Sequence, residues 1–175
     1  MHIYFDLDNT LIDELGQTMR PGIFDLLDSF KANNLQLSIW TASTKNRAEP
    51  IIHNLGLAGH FTSFVYRDDY DPDSKYGCTQ PKDIRFGDGD MLIDDSPRHC
   101  KFVESIGLKA FRVQPYITYM DTDPAELEEL HKLVLPDVPF SIKRQSWWSK
   151  KYNHFFNKKP LPVWLQQSWL LLNHH

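Results

Sequence analysis

Strands and helices alternating along most of the chain predict an α/β domain with a central parallel sheet. Three observations carry this: short buried-type apolar runs, helical-period runs between them, and Gly or Pro punctuating the joins. "HIYFDL" (2–7) is the first strand, and "PGIFDLLDSFKANN" (21–34) puts Ile23, Leu26, Leu27 and Phe30 at helical spacing behind Pro21. "LQLSIW" (35–40) is the second strand, and "TKNRAEPIIHNLG" (44–56) is a helix that Pro50 kinks or delays and Gly56 ends. "HFTSFVY" (60–66) alternates like an outer strand. After an acidic loop come a buried strand "DMLIDD" (90–95), a helix "PRHCKFVESIG" (97–107), a last core strand "KAFRV" (109–113) and an amphipathic helix "PAELEELHKLV" (124–134). No internal repeat or low-complexity segment interrupts this order.

The 175 residues suffice for one domain with a real core plus an extension, divided here as 1–136 and 137–175. The apolar fraction of 41% and charged fraction of 24% exclude wholesale disorder. No apolar run approaches the roughly 18 residues of a membrane span, and "MHIYFD" enters a strand without a basic leader. A cytoplasmic protein is the expectation, with secretion that needs no N-terminal signal left open. Cys78 and Cys100 form neither a disulfide framework nor a metal finger and read as ordinary thiols.

In sheets of this kind ligands bind beyond the carboxyl ends of the strands. Asp6 and Asp8 sit at the end of the first strand, Thr41 at the end of the second, and Asp94 and Asp95 at the end of the fourth. Four carboxylates at one rim repel one another, and unpaired burial costs several kcal/mol. A cation is therefore required, and all-oxygen ligation without His or Cys suits Mg²⁺. Asp6 is read as both metal ligand and nucleophile, forming an aspartyl phosphate. Asp8 is read as the acid that protonates the leaving oxygen and the base that takes a proton from water, with its main-chain carbonyl facing the metal. Thr41 offers a hydroxyl to the equatorial phosphate oxygens, and Lys82 in "QPKDI" supplies a cation there, with Lys75 as its rival.

Plainer roles fit several neighbours. Ser43 is a helix-cap candidate, which leaves Thr41 free. Asp83, Asp88 and Asp90 read as turn residues. Trp40 belongs to the core, and His99 and Cys100 pack or face solvent.

"FDLDNTLI", "IWTAS", "PKDI" and "LIDDSP", in that order, resemble the four motifs of the haloacid dehalogenase superfamily of phosphatases. They are most similar to its branch of RNA-polymerase C-terminal-domain and NLI-interacting-factor-like protein phosphatases. The resemblance spans residues 3–113 and implies a Rossmann-like three-layer sandwich. It further implies Asp6 as nucleophile, Asp8 as acid/base, and Thr41, Ala42 and Lys82 as phosphate holders. Asp6, Asp8 and Asp95 are the implied metal set, so their side chains are expected to meet at one Mg²⁺. Thr10 resembles the position that steadies the turn of Asp8, and Asp94 the one that orients Lys82 or a metal-bound water.

Many enzymes of this superfamily carry a lid, but neither the gap 13–21 nor 66–80 has room for one, so no large cap is expected. A large substrate can itself exclude water, which favours phosphoproteins, with phosphoserine, phosphothreonine or phosphotyrosine unranked. A small phosphate ester or nucleotide, with a partner as lid, is the alternative. Asp68, Asp69, Asp71 and Asp73 would repel nucleic acid and favour a basic peptide.

All 23 acidic residues lie at or before Asp137. The stretch after it holds Lys143, Arg144, Lys150, Lys151, Lys158 and Lys159 with four of the five tryptophans. Such a tail suits an acidic partner, a membrane surface or single-stranded nucleic acid, or packs its aromatics onto the catalytic domain. In a third reading the protein acts as a binding protein through this tail.

Overall fold

Five parallel strands are joined in the order β3-β2-β1-β4-β5. In chain order they are β1 (His2–Phe5), β2 (Gln36–Trp40), β3 (Ser63–Val65), β4 (Met91–Asp94) and β5 (Lys109–Arg112). The helices are α1 (Ile23–Ala32), α2 (Lys45–Asn54), α3 (Arg67–Tyr70), α4 (Pro97–Ser105) and α5 (Pro124–Val134). This computed structural model describes residues 1–73, 75–76, 80–117 and 123–142. Cys78 and the basic aromatic stretch from Lys143 onward, with the partners expected of it, lie outside the described residues.

Strand register sets the site. Phe5 pairs with Ile39 of β2 and Ile93 of β4. Asp6 follows Phe5, Asp94 follows Ile93 as the last residue of β4, and Thr41 follows the end of β2, all at the same carboxyl edge. The chain runs outward from β1 through β2 to β3, then crosses to β4 on the other side of β1. That reversal opens a crevice between β1 and β4 at the carboxyl edge, where ligands of doubly wound sheets bind.

Alternation along the strands divides the core. Ile3, Phe5, Leu37, Ile39, Met91 and Ile93 pack under Ile23, Leu26, Leu27 and Phe30 of α1, Ala48 and Ile52 of α2, and Leu127 and Leu130 of α5. Tyr4, Trp40 and Leu92 face the other way, onto Val103 of α4 and Ile84. Helices on both faces complete the three layers expected, and Trp40 is in the core as read. Residues Met1–Ile142 make one compact unit, in which Phe140 stacks on His131 with ring centroids 4.2 Å apart.

Three local readings change. The outer strand shortens to Ser63–Val65, because Ala58–His60 winds into a 3-10 turn. Helix α2 starts at Lys45 and runs through Pro50, so the proline does not delay it. Its missing N–H forfeits one hydrogen bond in the second turn. The acidic segment opens with the short helix α3, and its acids bind backbone. Asp68 Oδ2 accepts from the Lys45 amide at 2.5 Å, Asp69 Oδ2 from the Tyr66 amide at 2.7 Å, and Asp71 from the amides of Lys75 and Tyr76 at 2.8 and 3.0 Å. Asp68 thereby caps α2 from outside the helix.

Among the described residues no helix is long and apolar enough to cross a membrane.

Candidate active site

β1 ends at Phe5, and the chain turns sharply at once. The Leu7 carbonyl accepts from the amides of Leu11 and Ile12, and Asn9 takes a left-handed φ of 58°. Asparagine tolerates that region better than most residues. The turn delivers Asp6, Asp8 and Thr10 to one place, and the Asp95 amide donates to Thr10 Oγ1 at 3.1 Å, tying it to the end of β4.

Arg20 holds the turn from behind. Its side chain is fully buried and donates to the carbonyls of Thr10 (2.6 Å), Asn9 (2.9 Å) and Gln114 (2.5 Å), while Nη1 pairs with Glu126 Oε2 of α5 at 3.0 Å. Glu126 Oε1 in turn accepts from the Gln114 amide at 2.6 Å. Burial lowers the Arg20 guanidinium, and Glu126 counters that. No sequence signal marks this arginine: it reads as an ordinary charged residue before a Pro-Gly turn.

Carboxylate oxygens of Asp6, Asp94 and Asp95 lie within 4.8 Å of one another. Lys82 reaches into the group, with Nζ 2.5 Å from Asp6 Oδ1 and 2.7 Å from Asp94 Oδ2. The other Asp94 oxygen accepts from the Ser96 amide at 2.8 Å, at the start of α4. Among the described residues, neither Asp6 Oδ2 nor the Asp95 carboxylate pairs with a cation. Burial pushes the Asp6 carboxyl above the usual carboxylate range, against the pull of Lys82 and with a further push from Asp94. Burial also raises Asp95, and Asp94 adds to it. Burial alone would lower Lys82, but the Asp6 and Asp94 carboxylates outweigh it, so the ammonium stays charged. Lys75 is elsewhere, with its ammonium 5.2 Å from the ring centroid of Tyr76.

Membership of the acid cluster differs from the expected trio of side chains. Asp94 is in it, and the Asp8 carboxylate is outside it, held instead by Ser43 and by Arg47 of α2. Asp8 Oδ2 accepts from Ser43 Oγ at 2.7 Å and from Arg47 Nη1 at 2.9 Å. Ser43 is therefore not the helix cap: Thr44 occupies that position, and Ser43 is committed to Asp8. Thr41 is buried at the end of β2, its Oγ1 accepting from the Ser43 amide at 3.0 Å, which leaves the hydroxyl proton for a ligand oxygen. Tyr70, whose hydroxyl donates to the Thr41 carbonyl at 3.2 Å, is a neighbour that sequence reasoning missed. Burial raises its phenol to about 12. Asp83 accepts from the Arg85 amide at the start of a 3-10 turn, and Asp90 from the His2 amide, so both serve turns and edges.

With three carboxylates facing one ammonium, the arrangement can hold a divalent cation beside a nucleophilic oxygen. A family model described as NLI interacting factor-like phosphatase matches residues 1–138. The chain belongs to the NLI interacting factor-like phosphatase family. Two solved structures share the fold of this phosphatase. A putative β-phosphoglucomutase from Thermotoga maritima is 14% identical, with a TM-score of 0.54 over 79% of this chain and 99% of its own. A HAD-superfamily hydrolase from Ehrlichia chaffeensis is also 14% identical, with a TM-score of 0.52 over 77% and 95%. No curated protein sequence matches the chain. Family membership makes the protein a phosphoric monoester hydrolase of the HAD superfamily, as its four motifs implied.

His99, on the site side of α4, is buried, and its Nδ1 has no hydrogen-bond partner among the described residues. Burial holds its imidazole down to about 4, and Lys82 adds repulsion. A histidine lowered in the fold stabilises fully above its ordinary value of about 6.5 and loses that contribution as pH falls toward the folded value. Between pH 6.5 and 4 His99 is expected to withdraw about 2 kcal/mol from the fold after allowance for solvent screening, against the opposite contribution of the raised Asp6 and Asp95 carboxyls. In urea unfolding, wild type should lose that stability relative to His99→Gln across the window, and a difference that does not change with pH would remove His99 as the cause.

Proposed function

We propose that this phosphatase is a Mg²⁺-dependent phosphomonoesterase that acts on phosphoproteins through an aspartyl phosphate at Asp6. The observation that carries the reading is the buried cluster of Asp6, Asp94 and Asp95 with Lys82 as its one ammonium. Two negative charges remain uncompensated there, and an all-oxygen donor set suits a hard divalent ion. Asp6 Oδ2, Asp95 and the main-chain carbonyl of Asp8 are the ligands we assign. Bound Mg²⁺ would neutralise phosphate charge and hold the phosphoryl group in line with Asp6.

The chain's own residues account for the rest. Asp6 attacks phosphorus, and the ester oxygen leaves with a proton from Asp8. A water then attacks the aspartyl phosphate and Asp8 takes its proton, returning Asp6 free. The Lys82 ammonium and the Thr41 hydroxyl, with the adjoining Ala42 segment, stabilise charge on the equatorial oxygens. Asp94 keeps Lys82 aimed at Asp6.

Support for a macromolecular substrate comes from the connections. The segment between Ile12 and Met19 is a small hairpin, and the one after β3 opens with a single turn of helix. Among the described residues neither encloses a metabolite, which supports a substrate that itself excludes water. Cytoplasmic action, and contact of the tail with an acidic partner or a membrane surface, remain part of this proposal. Phosphoserine, phosphothreonine and phosphotyrosine peptides, assayed beside a panel of phosphorylated metabolites and nucleotides, test it. The expected result is higher kcat/KM on peptides, and chelation of the metal should abolish turnover of both. Preference for a metabolite would replace the phosphoprotein reading by the small-molecule alternative.

A further inference from the structure

Arg47 stands on the first turn of α2 and closes on Asp8 with both ends of its guanidinium. Nη1 donates to Asp8 Oδ2 at 2.9 Å and to Ser43 Oγ at 2.5 Å, while Ser43 Oγ itself donates to the same Oδ2 at 2.7 Å. Nη2 lies 2.7 Å from Asp8 Oδ1 and 3.4 Å from the Glu14 carbonyl. Its approach to Oδ1 is an ion-pair contact out of line for a hydrogen bond, and Oδ1 is shielded from solvent without another donor. One guanidinium thus meets both carboxylate oxygens and sets the plane of the Asp8 side chain. The Arg47 side chain is 40% exposed, so packing does not require it there. A planar fork fixes a carboxylate's orientation in a way that a lysine does not.

We propose that Arg47 is a positioning residue for the second half of the reaction, fixing the Asp8 carboxylate that takes the proton of the water hydrolysing the aspartyl phosphate. The inference rests on the phosphatase reading given above. In that half-reaction the water oxygen bonds to phosphorus. The bond from phosphorus to the Asp6 oxygen breaks with its electron pair returning to the Asp6 carboxylate, and the water proton passes to the Asp8 carboxylate. Every substrate needs this base. The first half differs, because p-nitrophenolate departs without a proton donor.

The two halves therefore separate in steady-state constants: kcat/KM reports phosphoryl transfer to Asp6, and kcat includes hydrolysis of the intermediate. With p-nitrophenyl phosphate and Mg²⁺, Arg47→Ala is expected to lower kcat about 10- to 100-fold, the scale of a misplaced general base. Its kcat/KM should stay within about 2-fold, so KM falls in proportion. A stopped-flow burst of nitrophenolate approaching one equivalent per site should appear. Arg47→Lys, which keeps the charge without the fork, should fall between wild type and Arg47→Ala. Retained kcat/KM also shows that the variant is folded. An equal fall in kcat and kcat/KM, or an unchanged kcat without a burst, overturns the proposal. Absent turnover by the wild type, or full turnover by Asp6→Asn, counts instead against the phosphatase reading.

Discussion

Asp6→Asn is expected to remove turnover of any phosphate monoester by at least about 10⁴-fold, the scale on which loss of a nucleophile is felt. The substitution keeps the shape of the side chain but supplies no oxygen able to form the acyl phosphate. It also takes a charge out of the acid cluster. Stability should not fall with activity. Burial already pushes the Asp6 carboxyl up, so the fold carries that charge at a cost that the neutral amide relieves. Urea unfolding of Asp6→Asn should match or exceed wild type, which separates lost chemistry from lost structure. A variant that is inactive because it is unfolded would contradict this account of Asp6.

Lys82→Met is expected to damage both chemistry and fold. The ammonium is fully buried between Asp6 and Asp94, and removing it leaves two carboxylates facing each other beside Asp95. Breaking a buried pair by deleting one partner costs about 3–5 kcal/mol. Millimolar Mg²⁺ should restore part of that, since an ion that binds only the folded chain stabilises it by mass action. Turnover in saturating Mg²⁺ should still be lower by about 10²–10³-fold, as for the loss of one preorganised partner of the transition-state charge. Denaturant titrations with and without Mg²⁺ measure the first effect and steady-state assays the second. Unchanged stability in the metal-free variant would mean that Lys82 is not the counter-charge of the cluster.

Much of the fold was legible because apolar strands and amphipathic helices alternate, and because Asp6, Thr41, Asp94 and Asp95 fall at strand ends. A parallel sheet brings strand ends together whatever the details of the loops. Four spaced motifs then pointed to the family that the match over residues 1–138 shows. What stayed hidden depends on side-chain direction in irregular segments. Ser43 and Arg47 draw the Asp8 carboxylate toward α2 and away from the acid cluster, and that pairing between distant segments is not written in residue type. Ser43 looked like a cap because serine caps helices. Asp68 reaches in from another loop and does that work, freeing Ser43 for Asp8. Arg20 was invisible because arginines are by default exposed, and only the folded chain places three carbonyls and Glu126 around it. The acids of the loop after β3 read only as charge, and the sequence did not show that Asp68, Asp69 and Asp71 also accept from backbone amides.

Acid quenching during turnover, followed by peptide mass analysis, tests the central claim most directly. The claim predicts a phosphoryl group on the Asp6 carboxylate, accumulating further in Arg47→Ala. Phosphate release with Asp6 unmodified at every time, or a phosphoryl group on a different side chain, would contradict it.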